Sequence, residues 1–167
     1  MQQPPGTIVM SALASRPEPQ VARSTAFLHA GRIFVSSTPH AVTTILGSCV
    51  AVCLWDESSG VGGLNHFLLP DIGGMEDSPK CCTGATRMLI EQLCAAGARK
   101  VRLRAKVFGG SAMTDSRQDP LGPKNATLAF EQLAAWGIPV VAQDVRGTRG
   151  RKLIFHTDDG TALVKLL

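Results

Sequence analysis

The chain has 167 residues, one ordinary domain's worth, and 44% of them are hydrophobic, enough for a packed core. Only 18% are charged and the formal net charge is +4, which excludes a disordered chain and argues only weakly for nucleic acid. Six Phe, two Trp and no Tyr leave no aromatic platform among the basic residues, which argues against single-strand nucleic-acid binding. No apolar run reaches the roughly 18 residues of a membrane span, so membrane insertion is not expected. Met1-Gln2-Gln3-Pro4-Pro5 lacks the basic start of a signal peptide. Five cysteines, two of them adjacent at Cys81 and Cys82, suit reduced thiols and a cytoplasmic location.

Residues 1–25 carry four prolines and no sustained periodicity, and read as a flexible extension before a domain at 26–167. Order is expected from about Phe27. Arg32 to Ser36 and the β-branched run Ala41 to Leu46 read as strands. Cys49 to Trp55 is nearly all apolar and predicts a strand buried on both faces. Asp56 to Gly60 is turn chemistry, and Val61 to Leu69 is the next strand, followed by a loop from Pro70 to Lys80. A helix over Gly84 to Ala96 follows from Ala85, Met88, Leu89, Leu93 and Ala96 at helical spacing, with Thr83 as its cap. Val101 to Phe108 alternates apolar and basic residues as a half-exposed strand, which Gly109-Gly110 breaks. A second helix is expected over Asn125 to Trp136, then a strand over Ile138 to Gln143. Lys152 to Phe155 and Ala162 to Leu166 form a hairpin around Asp159-Gly160. Two main helices on a mixed, largely antiparallel sheet or sheet pair is the expected α/β architecture.

Chemistry centres on Cys49 and His66. Cys49 ends the small-residue step Gly47-Ser48-Cys49, and His66 lies one strand, one turn and a return strand downstream. A thiol is nucleophilic as thiolate, and a nearby imidazole can take its proton. Gly47 and Ser48 let a carbonyl approach closely, and turn-bound N–H groups can face a developing oxyanion. The same residues also fit a plainer reading. Free cysteine is among the most buried residue types, and a lone histidine is more often structural.

Metal binding fits less well. Cys49 and Cys53 on one strand sit some 13 Å apart at about 3.3 Å per residue. Zinc needs both sulfurs within about 2.3 Å. Cys53 and Cys94 read as core, and Cys81 and Cys82 as loop or helix-start residues. Arg146, Arg149, Arg151 and Lys152 read as a solvated hairpin loop rather than a nucleic-acid site.

Five fragments carry a resemblance. They are Ala41-Val42-Thr43-Thr44-Ile45-Leu46-Gly47-Ser48-Cys49-Val50-Ala51-Val52-Cys53, Asn65-His66-Phe67-Leu68-Leu69-Pro70, Lys106-Val107-Phe108-Gly109-Gly110, Gly122-Pro123-Lys124-Asn125, and Gly150-Arg151-Lys152-Leu153-Ile154-Phe155. Together, and in order, they resemble the chemoreceptor glutamine deamidase family, CheD. The resemblance implies a single-domain layered α/β sandwich similar to the catalytic domains of glutamine-deamidating toxins. It implies a Cys-His-Thr set: Cys49 as nucleophile, His66 as general base and acid, and Thr43, six before the cysteine, to orient the imidazole. Thr44 is adjacent, and the motif spacing favours Thr43. Gly47, Ser48, Asn65, Gly109, Gly110 and Asn125 are assigned to substrate or oxyanion on the same grounds. Lys124 stands where the family commonly has arginine, a point charge in place of a planar fork.

The resemblance implies no metal and no cofactor. Its partners would be methyl-accepting chemotaxis receptors and the CheC phosphatase. Two alternatives stay open: a non-catalytic chemotaxis binding module, and receptor methylesterase activity at the same thiol.

Overall fold

The computed structural model describes residues 20–113 and 120–167. Among the described residues nine strands run β1 Ser24–Phe27, β2 Ile33–Ser36, β3 His40–Leu46, β4 Val50–Asp56, β5 Val61–Asn65, β6 Arg104–Gly109, β7 Val140–Val145, β8 Arg151–His156 and β9 Ala162–Leu166. The helices are α1 Cys82–Ala95 and α2 Leu121–Ala135, with a short 3₁₀ turn at Lys100–Arg102. The strands form two sheets, β1-β3-β8-β9 and β2-β5-β4-β6-β7. Two of the pairings, β1 with β3 and β6 with β7, are parallel and the rest antiparallel.

Strand parity builds three layers. Along β4, Val50, Val52 and Leu54 join Ala85, Leu89 and Leu93 of α1 and Ala126, Ala129 and Leu133 of α2 in one core. The intervening Ala51, Cys53 and Trp55 join Val42 and Leu46 of β3 and Leu153 and Phe155 of β8 in the other. The five-stranded sheet thus lies between the helices and the four-stranded sheet. Every residue of β4 is buried for that reason, as its unbroken apolar run predicts.

Several expectations shift at their edges. β1 starts at Ser24 and pairs with β3, so regular structure begins inside the stretch read as an extension. Arg23 secures it by forking onto Asp158 at 2.7 and 2.8 Å. Residues 1–19 of that stretch lie outside the described residues. The second helix begins four residues early, at Leu121, with Pro123 in its first turn, where a missing N–H costs nothing. Thr83 does not cap α1. The loop carboxylate Asp71 accepts its backbone N–H at 2.9 Å and its hydroxyl as well. β6 starts at Arg104, because the 3₁₀ turn takes up Lys100 to Arg102. The last hairpin is joined by the longer turn Thr157 to Thr161 rather than two residues. Cys94, read as core, is exposed on the outer side of α1, whereas Cys81 and Cys82 are buried.

Candidate active site

The chain passes from one sheet to the other at Gly47-Ser48-Cys49, between the end of β3 and the start of β4. Cys49 is half-buried there, against the inter-sheet core. His66 lies just past β5. Its backbone N–H donates to the Arg32 carbonyl at 3.1 Å, and its carbonyl accepts from Gly31 at 2.7 Å. The next residue, Phe67, pairs antiparallel with Val50 through both backbone bonds, at 3.0 and 3.1 Å.

That pairing places the thiol and the ring. Val50 and Phe67 both face the helix-side core. Their predecessors, Cys49 and His66, therefore both face the inter-sheet layer and stand diagonally across the pair. Diagonal neighbours of an antiparallel ladder are about 7–8 Å apart at Cα, within reach of longer side chains. No hydrogen bond joins the sulfur to the ring among the described residues. Catalytic hydrogen bonds commonly tighten only around substrate.

The ring is held from the opposite sheet, and by Thr44 rather than Thr43. Thr44 Oγ1 lies 2.8 Å from His66 Nδ1 and donates to the Leu28 carbonyl, also at 2.8 Å. The hydroxyl has one proton, given to Leu28, so toward the ring it accepts. Nδ1 therefore carries a proton, and Nε2 is left with its lone pair. Thr43, which the motif spacing favours, lies on the other face of β3. Val42, Thr44 and Leu46 are fully buried and inward-facing, while Thr43 and Ile45 point to the outer face of the four-stranded sheet.

Burial governs the protonation of the pair. His66 is only 4% exposed. Burial pushes its pKa down to about 4, against a smaller upward pull from the Leu28 carbonyl. Burial raises the Cys49 thiol, and its own backbone N–H opposes this. The resting pair at neutral pH is thiol and neutral imidazole, not thiolate and imidazolium. Alkylation of Cys49 by iodoacetamide is therefore expected to rise about tenfold per pH unit from 7 to 9, with no plateau at neutral pH. A pH-independent rate over that range would contradict the geometry. The lowered His66 value also sets a stability trend. The unfolded ring, with pKa about 6.5, binds a proton that the folded ring refuses. Stability from this group is complete above about pH 6.5 and is lost as pH falls through about 4.

The other predicted site residues divide. Gly47 and Ser48 form the crossing itself, and Ser48 lines a cleft of about 210 Å³ with Ser111, Met113 and Leu121. Gly109 and Gly110 stand behind Cys49. Gly110 N–H donates to the Cys49 carbonyl at 2.8 Å, so that group is not free for an oxyanion. Both glycines have positive φ, 101° and 68°, and a Cβ on Gly109 would overlap the Cys49 carbonyl oxygen. Asn65 faces away from the site. Its Oδ1 accepts from Val52 N–H at 2.9 Å, and its Nδ2 donates to Thr86 of α1 at 3.3 Å. Adjacent to His66 in sequence, it falls on the opposite side of the sheet. Asn125 is fully buried and donates to the Ser48 and Leu68 carbonyls at 3.0 and 2.9 Å.

Arg151 was not foreseen at the site. Read as part of a solvated loop, it is 4% exposed. It donates to the Gly109 carbonyl at 3.2 Å and to Ser111 Oγ at 2.7 Å, and pairs with Asp144. Its position opposite Leu46 in the β3–β8 ladder was the available signal. Of its neighbours, Arg146 donates to Thr127 Oγ1 and Arg149 to the Leu167 carbonyl. Among the described residues, no three His, Cys, Asp or Glu side chains come together to hold a metal ion. No described helix is long and apolar enough to cross a membrane.

Residues 68–166 match the family model described as CheD chemotactic sensory transduction. A probable chemoreceptor glutamine deamidase CheD 1 of Anaeromyxobacter dehalogenans is 49% identical over 147 residues, covering 87% of this chain and 86% of that protein. The counterpart in Trichlorobacter lovleyi is 48% identical over 141 residues, covering 83% and 88%. That of Caulobacter vibrioides strain NA1000 / CB15N is 43% identical, covering 82% and 75%. With more than half its length matched by the family model and most of it shared with these relatives, the chain belongs to the CheD family.

Proposed function

We propose that the protein is a chemoreceptor glutamine deamidase that hydrolyses glutamine side-chain amides on the cytoplasmic helices of methyl-accepting chemotaxis receptors. The observation that carries this reading is the fixed His66 tautomer. With Nδ1 held by Thr44 and Leu28, Nε2 is a lone-pair base on the sheet face that also bears Cys49. The names of the relatives supply the substrate class.

The chemistry follows from a neutral resting pair. Cys49 Sγ attacks the side-chain amide carbon as its proton passes to His66 Nε2. The carbonyl oxygen becomes an oxyanion beside the backbone N–H groups of the Gly47 to Cys49 crossing. His66 returns the proton to the amide nitrogen, ammonia leaves, and a thioester remains on Cys49. Water then attacks the thioester while His66 takes its proton. Collapse frees the glutamate, and the sulfur regains its proton. Every proton used is returned, so the cycle consumes only water. Each turnover adds one negative charge to a receptor helix and creates a methylatable glutamate.

Mass spectrometry of a receptor cytoplasmic fragment tests the reading, and defined glutamines should become glutamate. A CheC phosphatase presenting a receptor-like helix would compete for the same face and slow the conversion. The two threonines separate the assignments. Thr44→Val should lower kcat by about 10- to 100-fold, less than the roughly 10⁴-fold loss when a charged orienting group is neutralised. Thr43→Val, on the outer sheet face, should leave kcat within about twofold. The reverse order would restore Thr43 as the orienting residue.

A further inference from the structure

Three successive carbonyls at the crossing are each held from the same side. The Gly47 carbonyl accepts from Ser111 N–H at 2.9 Å, and the Cys49 carbonyl from Gly110 N–H at 2.8 Å. Between them, the Ser48 carbonyl accepts from Asn125 Nδ2 at 3.0 Å. In a trans peptide the C=O and the following N–H point in opposite directions. Holding the Gly47 and Ser48 carbonyls therefore aims the N–H groups of Ser48 and Cys49 the other way. Neither N–H meets an acceptor of the backbone among the described residues. The Cys49 N–H lies beside its own sulfur, where a carbonyl under attack would develop its charge.

Asn125 is the one side chain in this clamp. It sits on the second turn of α2 with no exposure, and it also ties Leu68, two residues past His66. Its Oδ1 is buried with no hydrogen-bond partner among the described residues. An orphaned buried acceptor costs stability, so an apolar residue would serve packing better. What an apolar residue lacks is the pair of Nδ2 donors.

We propose that Asn125 is a positioning residue that orients the Ser48–Cys49 peptide, so that the Cys49 N–H serves as an oxyanion donor, while tying that peptide to the segment after β5 that bears His66. This rests on the acyl-transfer reading and adds to it a residue that never touches substrate. It differs from the assignment of Asn125 to substrate contact, because both of its donors are engaged within the chain.

Two reagents separate the role from a general effect on the thiol. Acylation by p-nitrophenyl acetate passes through a tetrahedral oxyanion, whereas iodoacetamide alkylates by direct displacement and needs no such donor. Both are followed by mass on the Cys49 peptide of the full chain, in wild type, Asn125→Ala and Asn125→Ser, with folding checked by circular dichroism. In Asn125→Ala, acylation should fall about 10- to 100-fold, short of the roughly 10²- to 10³-fold cost of deleting an oxyanion donor, with alkylation within about threefold. Asn125→Ser keeps a donor of shorter reach and should fall between; if Asn125→Ala does not fold, Asn125→Ser decides by the same ratio. Equal falls in both rates, or unchanged acylation, overturn the proposal. Receptor deamidation by wild type is measured in parallel. Its absence would remove the deamidase reading, while the acylation-to-alkylation ratio still decides the role of Asn125.

Discussion

Cys49→Ala is expected to abolish glutamine-to-glutamate conversion, lowering the rate by at least about 10⁴-fold, because it removes the thiol proposed to form the acyl intermediate. The remaining cysteines offer no substitute. Cys53 is fully buried in the inter-sheet core, where burial pushes its thiol far up. Burial likewise pushes the Cys82 thiol, at the start of α1, up to about 12. Cys94 is exposed but lies on α1, whose packing is on the other side of the five-stranded sheet from His66. The variant should fold normally, since Cys49 is only half-buried and alanine removes one sulfur atom. The measurement is mass spectrometry of a receptor fragment, with ammonia release as a second readout. Persistent conversion in Cys49→Ala would remove the nucleophile and the reading built on it.

Gly109→Ala should be the most damaging single methyl group near the site. Gly109 has φ of 101°, a region that costs any residue with a Cβ. The added Cβ would also overlap the Cys49 carbonyl oxygen and press on Leu46. Neither neighbour can yield cheaply. The Cys49 carbonyl is held by Gly110, and the Gly109 carbonyl by Arg151 and by Arg146 N–H. A loss of about 3 kcal/mol or more in stability is expected, with activity falling further than the fraction folded. Urea unfolding gives the first quantity, and activity per folded molecule gives the second. A normal midpoint with full activity would show that the backbone behind Cys49 is looser than its hydrogen bonds imply.

Much of the framework was legible in residue patterns. An unbroken apolar run such as Val50 to Trp55 has nowhere to go except between two layers, and β4 lies there. The apolar spacing of Ala85, Leu89 and Leu93 put α1 on the sheet. That the segments carrying Cys49 and His66 lie side by side was legible too, since a strand, a turn and a return strand bring them together. Two expected site residues point away from the ring for a shared reason. The family motif favours Thr43, six before Cys49, but that spacing crosses Gly47-Ser48, where the chain leaves one sheet for the other. Strand parity does not carry across that step. Within β3 it is Val42, Thr44 and Leu46 that face inward. Asn65 follows the same alternation, one residue from His66 and on the opposite face.

Residue patterns along the chain were enough for the family and for the succession of strands and helices. Those depend on composition and spacing along one chain. Which threonine lies against the ring and which nitrogen of His66 is free emerge only from the packed layers. So do the bonds of Asn125 to the Ser48 carbonyl and of Arg151 to the Gly109 carbonyl. Each of these is set by what one sheet or helix presents to another. Burial and hydrogen-bond partners arise only when those layers close over Cys49.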